Sequence, residues 1–231
     1  MYFANAVCEK LPVDSMFIEE KVSIFDRQRL EREASFFFKG DKPQFKRTDL
    51  LYAVNDINDS RVNDYLSGVD DTLICVFGCS IIKMENAFTK NTRMVNLHSG
   101  ITPKYRGVHC VFWALYNEEP DMVGCTIHFV NQRIDEGNII SQASPDISPD
   151  DDEETLFNKT IKLGTTEFIR AIKYVYENGR CQSIPQAGAG KVYFSRERTE
   201  NEERKLRSIL AKGLLRRCCL PERVKRFYES D

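Results

Sequence analysis

The sequence predicts an α/β protein with a doubly wound, mostly parallel sheet, and three observations carry this prediction. Short apolar runs alternate with amphipathic segments, which is typical of a sheet covered by helices. Residues Thr72–Phe77, rich in Leu, Ile, Cys and Val, form the pattern of a strand buried on both faces. A chain of 231 residues, 42% of them hydrophobic, is long enough for one sizeable core and a small appendage.

The first third of the chain contains the elements that lead up to this buried strand. Residues Met1–Lys10 have the pattern of the last half of a first helix, and Pro12–Ile18 that of the sheet's second strand. The pattern then predicts a helix at Arg27–Phe38, a strand at Leu50–Val54 and a helix at Arg61–Leu66. This order of helices and strands is that of repeated βαβ units.

Polar side chains follow the next predicted strand. A short apolar run at Met94–Leu97 carries Asn96 and is followed at once by His98. In open α/β sheets, functional groups lie at the carboxyl ends of parallel strands. Asn96 and His98 are therefore candidate site residues.

The middle of the chain predicts two helices and one alternating strand. A helix is expected at Val108–Asn117, where it carries Trp113. Residues Met122–Val130 alternate, so Thr126 and His128 share a face opposite Val123, Cys125, Ile127 and Phe129. A long helix is expected at Glu153–Glu177, because the preceding Ser148–Asp152 segment suits helix capping and the helix dipole.

The chain changes character after the turn-rich segment Gly188–Gly190, which predicts a main domain at residues 1–187 and a short helical appendage at residues 191–231. A strand is expected at Val192–Phe194 and a helix at Glu200–Arg217, with an apolar stripe formed by Leu206, Ile209, Leu210 and Leu214. The appendage is locally basic. We interpret its charges as a solvated face whose stripe packs on the main domain or a second subunit, with phosphate or RNA binding as the alternative.

Composition and charge restrict the partners. A net charge of -2 predicts no general affinity for nucleic acid or for a membrane surface. No apolar run approaches the ~20 residues of a membrane span, and polar residues interrupt the N-terminus too early for a signal peptide. Eight irregularly spaced cysteines in mostly apolar segments favour buried free thiols in a reducing compartment. The protein is therefore expected in the cytoplasm. Its oligomeric state does not follow from these observations, and a homodimer is one possibility.

Three polar side chains, Asn96, His98 and Asp135, suit the transfer of a small acyl group to an amine. The Asn96 amide can donate to a carbonyl oxygen that becomes an oxyanion when the amine attacks. His98 titrates near neutrality, so it can stabilise that oxyanion or move a proton. Asp135 either holds the imidazole or accepts, directly or through a water, the proton that the amine loses. No nucleophilic side chain is needed.

The segments around these residues resemble the folate-dependent formyltransferase family. The motifs at residues 96–98, 103–107 and 134–137 match in order and spacing, and the resemblance runs from about Asp71 to Tyr176. The family includes glycinamide ribonucleotide formyltransferase, methionyl-tRNA formyltransferase and the N-formyltransferases of nucleotide-linked amino sugars. The resemblance implies a formyltransferase-like fold, N10-formyltetrahydrofolate as the formyl donor, and a catalytic trio formed by Asn96, His98 and Asp135.

The same resemblance implies which residues hold the ligands. The folate is expected to contact Phe77, Gly78, Cys79, Ile81 and Gly137. The amine substrate is expected to contact Tyr105, Arg106 and His128. For His128 a structural role is equally compatible, and Arg106 could instead lock its loop to a carboxylate. No metal is expected, since the chain has only three histidines and His98 is already assigned.

Two departures from the family pattern affect the expected site. Ser99-Gly100 stands where the family usually places a proline after the catalytic histidine, so a different loop geometry is expected. The family's opening strand and glycine-containing turn are not visible ahead of Pro12–Ile18, so the first strand is expected to be absent. In the glycinamide ribonucleotide enzymes that turn helps to hold the substrate phosphate.

The expected function is transfer of a formyl group to the primary amine of a small molecule, for which a nucleotide-linked amino sugar is favoured. Tyr105–Gly107 and Trp113 resemble the amino-sugar and methionyl-tRNA branches, whereas Gly124–Val130 and Ile139–Gln142 resemble the glycinamide ribonucleotide branch. The appendage is too short for a tRNA-binding domain. Two further alternatives are a hydrolase that releases formate from the same donor, and an inactive partial copy that serves as a binding module.

Overall fold

The computed structural model describes residues 1–20, 27–39, 41–69, 72–83, 93–179, 181–188 and 190–228. They belong to two compact units, Met1–Arg93 and Met94–Asp231. Each unit combines helices with strands, so the predicted α/β class is confirmed. The predicted division of the chain between residues 187 and 191 stays a prediction.

The first unit follows the predicted order of elements. In chain order these are α1 (Tyr2–Lys10), β1 (Met16–Glu19), α2 (Arg27–Phe38), β2 (Leu51–Val54), α3 (Ser60–Ser67) and β3 (Leu73–Phe77). Strands β1 and β2 pair in parallel, with Met16 opposite Leu51. Strand β1 begins later than the predicted Pro12, since a proline has no N–H to donate to a neighbouring strand.

Local hydrogen bonds fix two parts of the first unit. The Asp59 carboxylate caps α3 by accepting from the Arg61 backbone N–H at 2.9 Å. The buried Asn5 side chain of α1 donates to the Gln44 carbonyl oxygen at 2.9 Å and accepts from the Lys46 N–H at 3.0 Å. The segment that leads to β2 is thereby held against α1.

The second unit contains longer strands and the longest described helix. Its elements are β4 (Arg93–His98), β5 (Tyr105–Gly107), α4 (Cys110–Tyr116), β6 (Cys125–Phe129), β7 (Ile139–Ser144), α5 (Glu153–Asn178), β8 (Lys191–Tyr193), α6 (Glu200–Ala211) and β9 (Arg223–Arg226). The sequence pattern does not predict β7 or β9. Strand β4 also contains His98, which the prediction placed just after the strand.

The sheet of the second unit is antiparallel, whereas the sequence predicts mostly parallel strands. Strand β6 pairs with β4 on one side and with β7 on the other, and β9 pairs with the far side of β7. A short loop, residues 130–138, joins β6 to β7, and parallel neighbours would need a crossover of a dozen or more residues. Parallel pairing occurs between β5 and β8. The protein is therefore a mixed α/β fold.

Helix α5 packs closely on the strands that carry the candidate site. Asp152 caps its first turn together with Thr155, as the acidic segment before the helix predicts. A Cβ atom on Gly164 would lie 2.9 Å from the side chains of Leu97 on β4 and Cys125 on β6. Glycine at this position therefore allows the helix to approach both strands, while Phe168 and Val175 are fully buried in the core.

The C-terminal segment joins the second unit through two strands. Helix α6 ends at Ala211, earlier than the predicted Arg217, because Gly213 follows with a φ of 88° and breaks the helix. Its apolar stripe packs inward through the buried Leu206 and Ile209, as predicted. The basic residues near the end form β9, where Nε and Nη2 of Arg226 donate to the Glu167 carboxylate at 2.7 and 2.8 Å.

The cysteines are free thiols, but most are not fully buried. Cys110 and Cys125 are buried, five others are half-buried and Cys219 is exposed. Among the residues described, no helix is both long and apolar enough to span a bilayer.

Replacing Arg226 with alanine is expected to lower the free energy of unfolding by about 2 kcal/mol. The Glu167 side chain is only 4% exposed, and its nearest remaining cation would be Arg170 at 3.8 Å. Urea denaturation measures the change. Lys225→Ala, on an exposed position of the same strand, is the matched control and should cost less than about 0.5 kcal/mol. Equal losses in the two variants would show that the ion pair does not hold β9.

Candidate active site

The structure brings Asn96, His98 and Asp135 into contact. Asn96 and His98 are two residues apart on β4 and therefore share one face of that strand. Asp135 reaches them from the loop between β6 and β7. Its Oδ1 lies 3.2 Å from Asn96 Nδ2, and its Oδ2 lies 3.3 Å from His98 Nδ1. The three predicted catalytic residues thus form one cluster, while their catalytic role stays a prediction.

The Asp135 carboxylate is the centre of this cluster. Its side chain is 13% exposed, and Oδ2 also accepts a hydrogen bond from the Gly107 N–H at 2.8 Å. Burial alone would raise the pKa of this carboxyl group, but the imidazoles of His98 and His128 and the Gly107 N–H outweigh it and lower that pKa to about 2. The carboxylate is therefore ionised at any physiological pH.

His98 is oriented by a backbone carbonyl. Its side chain is 5% exposed, and Nε2 lies 2.9 Å from the Tyr105 carbonyl oxygen. Because a carbonyl oxygen only accepts, Nε2 must carry a proton, which leaves Nδ1 facing the Asp135 carboxylate. Burial lowers the pKa of the imidazole, and the Asp135 charge opposes that shift. The contact between Nδ1 and the carboxylate becomes attractive when Nδ1 is protonated as well as Nε2. The pair therefore forms a site for one mobile proton.

His128 orients the amide of Asn96. Nδ1 of His128 donates to the Phe129 carbonyl oxygen at 2.8 Å, so in the neutral ring Nε2 is an acceptor. Asn96 Nδ2 lies 3.2 Å from that Nε2 and 3.2 Å from Asp135 Oδ1, which directs one amide hydrogen to each. The His128 side chain is 2% exposed, and its Nε2 is 3.4 Å from Asp135. Its predicted contact with substrate stays a prediction.

Tyr105 and Arg106 lie beside the cluster and also hold the local structure. The Tyr105 ring is 1% exposed, and its hydroxyl donates to Glu119 at 2.6 Å. Arg106 Nη2 donates to the Gly190 carbonyl oxygen at 2.9 Å, and Nη1 is 3.4 Å from Glu136. Arg106 thus locks its loop to a carboxylate, one of the two roles that the sequence leaves open. For both residues, contact with substrate stays a prediction.

Two glycines permit close approaches that a side chain would prevent. A Cβ on Gly100 would lie 2.5 Å from His98 Nε2 and 2.7 Å from the Tyr105 carbonyl oxygen. A Cβ on Gly137 would lie 1.7 Å from the Phe129 carbonyl oxygen. Gly100 therefore leaves room for the His98 ring, and Gly137 allows the Asp135 loop to pass close to the end of β6. The predicted folate contact of Gly137 stays a prediction.

The other predicted folate contacts lie together in the first unit, directly after β3. Phe77 is the last residue of that strand, and its ring centroid lies 4.7 Å from that of Phe3. Gly78 has a φ of 62°, Cys79 is half-buried and Ile81 is 66% exposed. Their role in holding the folate stays a prediction.

Two residues that the sequence analysis does not assign to the site support its loops. The Thr126 hydroxyl donates to the Gly100 carbonyl oxygen at 2.7 Å and accepts from the Thr102 N–H at 3.1 Å. Gln186 donates to the carbonyl oxygens of Asp135 at 2.9 Å and Gly137 at 2.8 Å. Thr126 is predictable from its place on the His128 face of β6. Gln186 has no local signal, because its contacts are made only in the folded chain.

Two buried polar atoms of residues that contact the cluster or its loop lack a hydrogen-bond partner in the described part of the chain. Arg106 Nε and Gln186 Oε1 are buried and have no hydrogen-bond partner among the residues described. Buried polar atoms of this kind usually pair with protein, water or a ligand. Across the described part of the chain, no group of three or more His, Cys, Asp or Glu residues is arranged to hold a metal ion.

Comparison with known proteins connects this geometry to a family. The model of the family described as formyl transferase matches residues 15–172. A segment of 140 residues is 33% identical to the trifunctional purine biosynthetic protein adenosine-3 of Drosophila melanogaster and covers 60% of this chain and 10% of that protein. A methionyl-tRNA formyltransferase of Staphylococcus epidermidis is 29% identical over 153 residues, which are 66% of this chain and 49% of that one. The chain thus spans half or less of these curated relatives.

A solved structure shares the fold. The formyltransferase PseJ of Anoxybacillus kamchatkensis, solved with UDP-4,6-dideoxy-4-formamido-L-AltNAc and tetrahydrofolate, superposes with a TM-score of 0.56. The superposition covers 84% of this chain and 95% of that chain at 18% sequence identity. At this identity the likeness establishes a common fold.

Asp135→Asn is expected to reduce the loss of stability in acid. The pKa of this carboxyl group falls from 3.8 to about 2 on folding, so its stabilising contribution is present above pH 4 and lost as the pH falls from about 4 to 2. The contribution amounts to about 2 kcal/mol. Urea denaturation of both proteins between pH 6 and pH 2 measures the difference.

The matched control for this experiment is Asp49→Asn, which removes an exposed carboxylate that binds Arg47. Its curve should remain close to that of the wild type, because exposed ion pairs contribute little. If the free energy of unfolding of Asp135→Asn falls below pH 4 as much as that of the wild type, the folded protein does not lower the pKa of the Asp135 carboxyl group.

Proposed function

This chain belongs to the formyl transferase family, and from that membership we propose that it transfers a formyl group from N10-formyltetrahydrofolate to a primary amine. The observation that carries the proposal is that the Asp135 carboxylate contacts both Asn96, at 3.2 Å, and His98, at 3.3 Å. These groups supply a donor for an oxyanion and an acceptor for a proton. They contain no activated nucleophile, which agrees with direct attack by the amine of the substrate.

Asn96 stabilises the charge that develops on the formyl oxygen. When the amine attacks the formyl carbon, the carbonyl electrons move to this oxygen, which then needs a hydrogen-bond donor. The amide of Asn96 is preorganised, because His128 and Asp135 fix the direction of its two hydrogens. A small movement of the amide would redirect one of them to the oxyanion, in a site where little water competes.

His98 and Asp135 together manage the proton that the amine must lose. A carboxyl group with a pKa of about 2 is a weak proton acceptor, so Asp135 acts mainly by stabilising positive charge on its neighbour. His98 Nδ1 faces that carboxylate, and its partner nitrogen already donates to Tyr105. A proton that reaches the pair is thus held on Nδ1 and stabilised by the charge on Oδ2, and the imidazolium form can also face the oxyanion.

The acceptor that we propose is a small molecule, a nucleotide-linked amino sugar. The motif at Tyr105–Gly107 resembles the amino-sugar and methionyl-tRNA branches, and the appendage is too short for a tRNA-binding domain. The PseJ structure, which shares this fold, holds a sugar nucleotide together with tetrahydrofolate. Arg106 Nε is buried and has no partner among the described residues, so it is available for an anionic group of such a substrate.

A glycinamide ribonucleotide is the second candidate acceptor. The 33% identity to the trifunctional purine biosynthetic protein over 140 residues favours it. Both candidates carry a primary amine and phosphate in the same molecule, so the proposed chemistry at Asn96, His98 and Asp135 is the same. They differ in the part of the substrate that lies away from the reacting amine.

His98→Ala is expected to lower the acceptor-dependent formation of tetrahydrofolate by about a hundredfold or more, since it removes both the proton carrier and a charge near the oxyanion. The assay follows N10-formyltetrahydrofolate turnover without an acceptor, with a panel of amino-sugar nucleotides and with glycinamide ribonucleotide. His109→Asn is the matched control. This residue lies outside the cluster, where its Nδ1 is 3.4 Å from Arg198, and asparagine tolerates its φ of 59°.

The acceptor panel also separates the remaining alternatives. Turnover without any acceptor that is lost in His98→Ala would identify a hydrolase. If the folded wild-type protein shows no turnover with any member of the panel, the proposed function is wrong and an inactive binding module becomes the better interpretation.

A further inference from the structure

We infer that Gln186 is a positioning residue for Asp135, an inference that rests on the function proposed above. Its side-chain amide nitrogen donates to the backbone carbonyl oxygens of Asp135 at 2.9 Å and Gly137 at 2.8 Å. These two carbonyls belong to the residues on either side of Glu136, in the loop that carries the Asp135 carboxylate. One side chain, 51 residues further along the chain, therefore holds the segment that sets the direction of the Asp135 side chain.

The Asp135 loop needs such support because its backbone is strained. Asp135 has a φ of 49°, a left-handed conformation that is uncommon for a residue with a side chain. Conformations of this kind persist when the surrounding structure determines them. If the support is lost, the loop can relax, and the carboxylate then moves away from His98 Nδ1 and the Gly107 N–H.

Backbone hydrogen bonds to the first residue of β7 place Gln186 next to the loop. The backbone of Ile184 accepts from the Ile139 N–H at 2.8 Å and donates to the Ile139 carbonyl oxygen at 2.9 Å. Ile139 follows the Asp135 loop directly, and Gln186 stands two residues after Ile184. This pairing fixes the register between the segment around Ile184 and the start of β7. The Gln186 side chain is thereby held in contact with the Asp135 loop.

The orientation of the Gln186 amide follows from its partners. Both partners are carbonyl oxygens, which only accept, so the nitrogen must face the loop. The amide oxygen Oε1 then points elsewhere, and it is buried with no hydrogen-bond partner among the residues described. The amide nitrogen is thus the atom that makes both contacts with the loop. Gln186→Met, which keeps the length but lacks the N–H groups, isolates its contribution, while Gln186→Glu replaces the N–H groups with a negative charge.

The loop has further contacts that do not involve Gln186. Arg106 binds the Gly190 carbonyl oxygen at 2.9 Å and lies 3.4 Å from Glu136, the residue between Asp135 and Gly137. The loop also keeps the hydrogen bond from the Phe129 N–H to the Asn138 carbonyl oxygen at 3.0 Å. Removal of the Gln186 donors should therefore displace the carboxylate without unfolding the unit.

Kinetics of the full-length chain test this inference with Gln186→Met and Gln186→Glu. Both variants match the length of glutamine and lack its N–H donors. We expect kcat to fall about tenfold to a hundredfold while KM changes less than about threefold, because displacement of a catalytic group by about 1 Å has effects of this size. Gln182→Glu is the matched control, since its exposed side chain lies on the same segment, and its kcat should stay within about twofold of the wild type.

Amide hydrogen exchange, followed by NMR, gives a second measurement that needs no activity. The Gly107 N–H donates to Asp135 Oδ2 at 2.8 Å, so its exchange should accelerate at least about tenfold in both Gln186 variants. Exchange at Phe168, fully buried in α5, should not change. If Gly107 exchanges at the wild-type rate, or if Phe168 accelerates equally, the inference is overturned, because Gln186 then has no role or only a global structural one.

The two measurements distinguish failure of the inference from failure of the proposed function. If the wild-type chain shows no formyl transfer, the proposed function fails, and exchange at Gly107 still decides whether Gln186 holds Asp135. If the wild-type chain is active and both variants retain its kcat, the positioning role is wrong and the proposed function stands.

Discussion

A carboxylate that is mostly removed from water is stable only if hydrogen bonds and positive charge replace its hydration, and the Asp135 carboxylate imposes this condition on the second unit. Gly107 supplies a backbone N–H, Asn96 an amide hydrogen and His98 an imidazole. Together with Asp135 itself, these groups come from three different parts of the chain. Strands β4 and β5 and the loop after β6 must therefore be placed together before the charge can be buried, which makes the site and the fold mutually dependent.

Backbone carbonyl oxygens orient both histidines that lie next to this carboxylate. His98 is held by the Tyr105 carbonyl oxygen, and His128 by that of Phe129. Carbonyl partners fix which nitrogen of each ring carries a proton, since they only accept. One imidazole is thereby available to carry a proton, and the other to orient Asn96. The two histidines are similarly buried, but each has a carbonyl oxygen next to a different ring nitrogen. The nitrogen left to face Asp135 is therefore Nδ1 in His98 and Nε2 in His128.

Close packing of the backbone gives the site its precision. Glycine at position 100 leaves room for the His98 ring, and glycine at position 164 lets α5 approach β4 and β6. A Cβ at position 100 would lie 2.5 Å from His98 Nε2, and one at position 164 would lie 2.9 Å from the side chains of Leu97 and Cys125, so these neighbours would have to shift. The sequence difference at Ser99-Gly100 is therefore compatible with the cluster, because Gly100 allows a loop in which His98 keeps its partners.

The sequence by itself determined the α/β class, most helices and strands, and the trio of polar residues, because these depend on local periodicity, capping and motif order. It did not determine the antiparallel pairing of β6, β7 and β9, the end of α6 or the contacts of Gln186. Strand β9 is a short basic segment whose pairing becomes favourable only when β7 offers an open edge and Glu167 a buried charge. Such choices depend on partners that are distant in sequence, so only the tertiary structure decides them.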